Sequence, residues 1–442
     1  MLLVGNGRLI TWDSAKPYLS DGCVAIDGNL IKEVGPTAQL KPKYPEARFV
    51  DAQGRVIMPG LINTHMHYYS TFARGMSTDS PPAKTFADIL EGLWWRLDKV
   101  LTLEDVYYSA LVPMIECVKN GVTTVIDHHA SPYAVRGSLN KIAEAAKLIG
   151  LRSSLCYEVS DRDGKEIAKQ GIEENIEFIK YCNSANDDML KGMFGLHASL
   201  TLSNETLEKC CEANADTGVG FHVHTAEGTE DLEDSLQKYG KRVVERLADF
   251  GILGPKSLMI HCVHVNDKEI DLLQSTSSNV IHNPESNMGN AVGVAPVLDM
   301  MEKGIVVGLG TDGYTTDMFE SLKVANILHK LNKKDPSVSW VEPPTMLFEN
   351  NSNIASSFFQ KTVGRLVPGA LADVIIVNYE PWTTMQSENL ASHIHFGMMG
   401  RSVETTIING KVVMEERRLV DIDEREIMAK GRELADRVWK RI

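Results

Sequence analysis

Nothing in the 442 residues approaches the run of about 20 apolar residues that a membrane-spanning helix needs. The amino terminus, MLLVGNGRLITWD, also lacks the basic flank and long apolar stretch of a secretory signal, so a cytoplasmic location is expected. Seven cysteines (Cys23, Cys117, Cys156, Cys182, Cys210, Cys211 and Cys262) are odd in number, scattered and never spaced as CxxC. That pattern argues against both a disulfide framework and a thiolate zinc site. No dense Lys/Arg patch offsets the formal net charge of −14, which would repel phosphate backbones. No nucleic-acid partner is expected, and a small neutral or cationic substrate suits the charge balance better. Solenoid-length repeats and low-complexity tracts are missing as well. With 43% hydrophobic and 24% charged residues, the composition is that of an ordinary globular protein.

What is present is a rhythm. Eight short apolar runs stop at residues able to bind a metal or move a proton: His65 with His67, Asp127 with His128, Glu158, His197, His224, His261, Asn283 and Asp312. Between them lie segments of helical length and spacing, such as LEDVYYSALVPMIECVKNG and SNETLEKCCEANADTG, both ending on Gly. Ser203, Asn204 and Glu205 give the second an N-cap region. The alternation predicts an α/β protein built on a (β/α)8 TIM barrel, a fold whose C-terminal strand ends carry the active site. Strand candidates are VIMPGLINT, VTTVID, LRSSLCYEV, MFGLH, VGFHVHT, SLMIH, NVIHN and IVVGLGT.

The first fifty or so residues read as short strands joined by turns, and VPGALADVIIVNYE with ETTIINGKVVMEERRLV repeats that pattern near the far end. Neither piece has enough strands to bury a face alone, so the two are expected to combine in one small discontinuous β-sandwich. The predicted division is residues 1–56 and 365–422 for the sandwich, 57–364 for the barrel and 423–442 for an exposed amphipathic helix.

His65 and His67 are one residue apart at a strand end, where side chains at i and i+2 point to the same side. Two imidazoles there make a metal clamp. His222 and His224 repeat the arrangement on the fifth strand, Glu227 follows three residues later, and Asp312 closes the eighth strand inside GLGTDG. Three imidazole nitrogens and one carboxylate oxygen suit Zn2+ or Fe2+ and leave room for a water. Glu227 would then take the water proton and return it to the substrate as general acid.

PGLINTHMH, FHVHTAE, SLMIHCVH, NPESN and GLGTDG resemble the signature segments of the amidohydrolase superfamily, in its cytosine deaminase-like and chlorohydrolase branch. The resemblance covers essentially the whole chain. LWWRLD, VIDHHASP and DMFE are similar to segments of aminohydrolases associated with selenium metabolism. The resemblance implies an amidohydrolase-type barrel in which His65, His67, His224 and Asp312 hold one divalent metal per subunit, zinc first and iron second. It implies that His261 polarises the attacking hydroxide, that Glu227 moves a proton to a ring nitrogen, that Asp312 passes another to the leaving group, and that His197 contacts substrate. No lysine ends the fourth strand to bridge two metals, which favours a mononuclear site.

Other polar residues are less constrained. His264 lies three past His261, which is preferred because it ends the apolar run directly. His128 and His129 suit either substrate contact or a supporting hydrogen bond, whereas His222 is expected to pack below the metal. His282 and Asn283 are expected to orient the seventh loop. His329, His393 and His395 lie outside the motif, and the last two would suit a subunit contact. Trp94 and Trp95, with Tyr68, Tyr69 and Phe72, would form an aromatic wall for a flat ring, and Arg74 would anchor a carbonyl or carboxylate.

The expected function is hydrolytic deamination of a purine, pterin, pyrimidine or triazine ring by metal-activated water, in a homodimer. A cyclic amidase or chlorohydrolase on the same scaffold is the alternative within enzymes. A metal-binding scaffold is the alternative outside them, and Glu227 discriminates, since a binding module needs the ligands but no acid beside them.

Overall fold

The computed structural model describes residues 1–77, 79, 81–185 and 187–442. It opens with five strands, β1 (Leu2–Ile10), β2 (Tyr18–Asp27), β3 (Leu30–Pro36), β4 (Arg48–Asp51) and β5 (Val56–Pro59). Gly28, at a φ of 61°, makes the tight turn that lets β2 and β3 pair antiparallel. The middle of the chain supplies β6 (Leu61–Met66), β7 (Val122–His129), β8 (Arg152–Tyr157), β9 (Leu190–Gly192), β10 (Phe194–Ala198), β11 (Phe221–Thr225), β12 (Leu258–His261), β13 (Asn279–His282) and β14 (Val307–Leu309). Four more follow: β15 (Val374–Val377), β16 (Val403–Ile408), β17 (Lys411–Glu415) and β18 (Arg418–Leu419).

The middle strands pair in parallel, β6 to β9 as one sheet and β10 to β14 as another. Parallel bridges Val159 to Leu196 and Met66 to Asp312 join the two sheets at both seams. Helices separate successive strands in sequence, giving the TIM-barrel type of α/β fold. Almost every residue of these strands is buried, which is why they read as unbroken apolar runs. The expected helices are capped from their own sequence. Thr102 and Asp105 form a capping box at Leu103–Lys119, and the Ser203 hydroxyl accepts from the Thr206 amide, 3.2 Å, at Asn204–Asn214.

Two strand assignments differ from expectation. VIMPGLINT forms two strands, because the chain pivots at Gly60, where a Cβ would lie 2.3 Å from the Thr123 side chain. The fourth barrel strand is also split, and its first piece, LKG, carries too little apolar pattern to be recognised.

The terminal segments share one nine-stranded sheet of order β18-β17-β16-β15-β5-β1-β2-β3, with β4 paired to β1. β5 sits between parallel β1 and antiparallel β15, so the two ends of the chain meet at its edges. Arg152 at the start of β8 ties this sheet to the barrel. Its guanidinium ion-pairs with Asp373, both side chains being fully buried, while Asp373 accepts from the Asn409 amide at 2.8 Å. Asp373→Ala would leave that guanidinium buried without its counter-charge, so a loss of about 3–5 kcal/mol is expected in denaturant unfolding. A loss below about 1 kcal/mol would show that the pair does not hold the two parts together.

The C-terminal helix, Glu424–Trp439, packs on Leu103–Lys119 through Gly431, where a Cβ would meet Val112 at 2.7 Å. The sequence pattern marks this helix as exposed, but Leu434 and Val438 are buried, and Trp439 Nε1 donates to the Phe72 carbonyl at 2.6 Å. Among the described residues, no helix is long and apolar enough to cross a membrane.

Candidate active site

Each barrel strand delivers its polar residue to one mouth. His65 and His67 come from the end of β6, His224 from β11, His261 from β12, and Asp312 follows β14. Ala226, His261 and Asp312 take positive φ values of 48°, 70° and 55°. These left-handed positions are costly for residues with a Cβ, and at the strand ends they turn the side chains into the mouth.

The histidines are aimed by their second nitrogens. His67 Nδ1 lies 2.6 Å from the His128 carbonyl, His224 Nδ1 lies 2.9 Å from the His197 carbonyl, and His65 Nδ1 lies 2.8 Å from Nε2 of His222. Every Nε2 is left facing a common centre. Nε2 of His67 lies 3.2 Å from Nε2 of His224 and 3.2 Å from Asp312 Oδ1, and Nε2 of His65 lies 3.6 Å from that oxygen. Donor atoms held about 2.0–2.1 Å from a tetrahedral cation lie about 3.3 Å apart, so this spacing fits one divalent metal. Nε2 of His65 is buried with no hydrogen-bond partner, as a ligand atom awaiting a metal would be.

Beside the ligands stands Glu227. Its Oε2 lies 3.3 Å from Nε2 of His261, and its Oε1 accepts from Asn290 Nδ2 at 3.2 Å. Burial and the neighbouring Asp312 charge push its carboxyl well above the usual carboxylate range. Burial acts the same way on Asp312, but the adjacent rings of His65 and His67 outweigh it and hold Asp312 well below that range. Two adjacent carboxyls pushed apart in this way divide naturally into a proton holder and an anion. His261 Nδ1 is engaged by Asn287 Oδ1 at 2.8 Å, which leaves its Nε2 toward Glu227 and, at 3.7 Å, Asp312 Oδ2. His264 faces neither of them.

A cleft of about 760 Å³, open mouth included, runs from this centre to the surface. Tyr69, Trp94, Trp95, Phe86 and Leu90 give it apolar walls, and His197 lines it with its Nδ1 tied to Thr201 Oγ1 at 2.7 Å. Burial lowers the His197 pKa to about 4, so the ring is neutral near pH 7.

Two expected contacts lie elsewhere. Arg74 is outside the cleft, on an exposed turn, where Glu116 holds its guanidinium at 2.7 and 2.9 Å. His128 lies behind the wall, with its Nε2 donating to the carbonyls of Leu196 and His222 and its Nδ1 3.2 Å from Glu158. Its ring is used up by the barrel interior. Tyr68 and Phe72 are buried in the core rather than in the wall. His129 binds Ser131 Oγ at 2.9 Å, and His282 and His329 face each other at 3.1 Å. His393 and His395 bury their rings, the first against the Tyr379 hydroxyl at 2.8 Å, and so do not present them to another subunit.

Three polar residues of the site escaped the sequence reading. Ser286 donates to Asp312 Oδ2 at 2.6 Å, Asn290 reaches Glu227, and Asn287 sets His261. The i, i+4 spacing of Asn283 with Asn287 and of Ser286 with Asn290, across the short Pro284–Gly289 helix and its two caps, is the available signal.

Comparison with known proteins identifies the family of the chain. A profile described as "Amidohydrolase family" matches residues 56–413, and one for an imidazolonepropionase-like composite domain of bacteria matches residues 22–47. A 5'-deoxyadenosine deaminase of Methanosarcina barkeri is 33% identical, over 100% of this chain and 99% of that protein. A 5-methylthioadenosine/S-adenosylhomocysteine deaminase of Pelotomaculum thermopropionicum is 32% identical, again over 100% and 99%. Among solved structures, a zinc-bound adenosine deaminase from Xanthomonas campestris superposes with a TM-score of 0.88 at 22% identity, covering 99% of this chain and 98% of that one. Atrazine chlorohydrolase TrzN from Arthrobacter aurescens, complexed with zinc, gives 0.83 at 22% identity, over 98% and 100%. At that identity the last two establish the fold.

Proposed function

We propose, from the premise that this chain belongs to the amidohydrolase family, that it is a metal-dependent aminohydrolase that releases ammonia from a nitrogen heterocycle. The observation that carries the reading is Glu227, 3.3 Å from Nε2 of His261, in the cleft that it lines together with His67, His224 and Asp312. His65, His67, His224 and Asp312 would hold the metal, with zinc preferred to iron. A bound divalent cation supplies Lewis acidity, lowering the pKa of a coordinated water from about 15.7 toward 7.

The chain's own groups do the rest. Glu227, with its raised pKa, accepts the proton that water gives up and returns it to the ring nitrogen flanking the reacting carbon. His261, neutral and fixed by Asn287, points Nε2 at the oxygen that develops charge. Asp312 Oδ2, held by Ser286, is placed to carry a second proton to the departing amine. Tyr69, Trp94 and Trp95 sandwich the ring and exclude water.

The named relatives make adenosine derivatives the first rings to test, ahead of pterins, pyrimidines and triazines. Ammonia release by the metal-loaded protein across that panel is the experiment. Turnover of at least one ring class is expected, and silence from a fully metal-loaded protein would overturn the reading.

The reading includes a cytoplasmic homodimer with no nucleic-acid partner. Ile327 and Leu331, one turn apart on the Met318–Lys333 helix, are 54% and 76% exposed, and the Leu390–Gly397 helix that packs against it carries exposed Phe396. Trp340 meets Phe396 edge to face, with ring centroids 6.0 Å apart, and extends that apolar surface. Leu331→Glu is expected to halve the mass seen by light scattering at micromolar concentration while leaving kcat unchanged. A wild type that is monomeric at that concentration would rule the dimer out.

A further inference from the structure

A third carboxylate stands beside the proposed metal centre without a part in the reaction. Glu158 follows β8, and its nearest oxygen lies within 4.8 Å of ring nitrogens of His197 and His224. It lines the cleft together with Asp98, which the LWWRLD segment supplies. Both are tied from behind by Arg162, whose guanidinium ion-pairs with Asp98, reaches Glu158 at 3.8 Å and lies over the Trp95 ring at 5.3 Å. Arg162 is not part of the lining. Asp98 Oδ1 is buried and has no hydrogen-bond partner.

The cleft wall therefore shows acceptors without matching donors. Its lining contains five carboxylates and no Lys or Arg. Asp231 is already spent on the amides of Ala226 and Leu200, at 2.9 and 2.8 Å, and Glu227 and Asp312 belong to the chemistry. Asp98 Oδ1 remains, and so does Glu158 Oε1, which lies 3.8 Å from both His197 and Arg162, whereas Glu158 Oε2 is already met by His128 Nδ1 at 3.2 Å. A buried acceptor left unpaired is costly, so a ligand that brings N–H or O–H groups is favoured there. A ligand that brings another anion meets repulsion in a poorly screened site, with no cation in the lining to relieve it.

Building on the aminohydrolase reading, we propose that Glu158 is a substrate-contacting specificity residue that, with Oδ1 of Asp98, accepts hydrogen bonds from N–H or O–H donors of the substrate and turns away anionic substrates. The donors can come from a ring N–H or amino group, or from sugar hydroxyls. The chemistry at Glu158 is the same. Net anionic adenosine derivatives fall outside the substrate class, and neutral or cationic ones fall inside it.

The test is ligand binding to the metal-loaded protein, followed by quenching of tryptophan fluorescence, since Trp94 and Trp95 line the cleft. Wild type is expected to bind 5′-amino-5′-deoxyadenosine at least about tenfold more tightly than adenosine-5′-carboxylate, the scale of one charged hydrogen bond. Glu158→Gln, with its metal content unchanged, is expected to lose about 10- to 100-fold in affinity for donor-bearing ligands and to discriminate less between that pair. Loss of the Glu158 effect with 2′,3′-dideoxyadenosine assigns the donors to the sugar, and its persistence with free adenine assigns them to the ring.

Equal binding of amine and carboxylate by wild type would overturn the proposal even if the variant failed to fold. So would unchanged affinities in a metal-replete Glu158→Gln, or a wild type that binds none of the panel. Binding with the expected pattern but without ammonia release would sink the deaminase reading and leave the role of Glu158 standing.

Discussion

Glu227→Gln is expected to keep a full complement of metal and to lower kcat on the order of 10²- to 10⁴-fold, the range that a positioned general acid–base contributes. The substitution preserves size and the hydrogen bond from Asn290, because the amide oxygen still accepts. It removes only the ability to hold and release a proton. Binding of the ring should change little, so KM stays within a few-fold while kcat collapses. Metal analysis of the purified variant together with single-turnover ammonia release checks both halves. Activity like wild type would remove Glu227 from the mechanism, and loss of metal would make its role structural. The raised pKa of Glu227 arises from burial and the Asp312 charge, so the carboxyl proton, rather than the metal, is what the variant interrogates.

His65→Ala is expected to lose the metal altogether. Its Nε2 is buried and unpartnered, and removing it leaves three of the four proposed donors beside a cavity where the imidazole stood. Bound metal stabilises the fold by mass action, about 4.1 kcal/mol when free metal stands at 1,000 times Kd. The variant should therefore unfold at the temperature of the chelated wild type, whatever metal is added. His222→Ala makes the graded comparison. It deletes the partner 2.8 Å from Nδ1 of His65 and no ligand, so metal affinity should fall about 10- to 100-fold rather than vanish. Stoichiometric metal in purified His65→Ala would break the ligand assignment.

Much of the site is legible along the chain because its residues sit at strand ends. An apolar run that stops at a histidine marks both the strand and the mouth it opens into, which is how His65, His67, His224, His261 and Asp312 stand out. The residues that the sequence misplaces or leaves open are those whose roles depend on a neighbour far away in sequence. Arg74 follows the metal pair closely, yet Glu116 on a separate helix takes its guanidinium. His128 ends its run as His65 does, but its ring turns to carbonyls 68 and 94 residues away. Glu158 was visible as a strand end and given no task, because nothing local shows that Asp98, 60 residues earlier, shares its guanidinium partner.

By itself the sequence determined the eight-strand alternation, the H-x-H clamp and the acid three residues past His224, because period, spacing and residue type are local properties of the chain. The tertiary structure decided which nitrogen each imidazole presents, that His261 rather than His264 meets Glu227, and in what strand order the two terminal pieces, already expected to combine, pair in one sheet. Those choices depend on strand stagger and on contacts that cross the barrel, such as His65 with His222 at a separation of 157 residues. A one-dimensional pattern carries no record of such stagger, since the same spacing of residues is compatible with several registers until packing selects one.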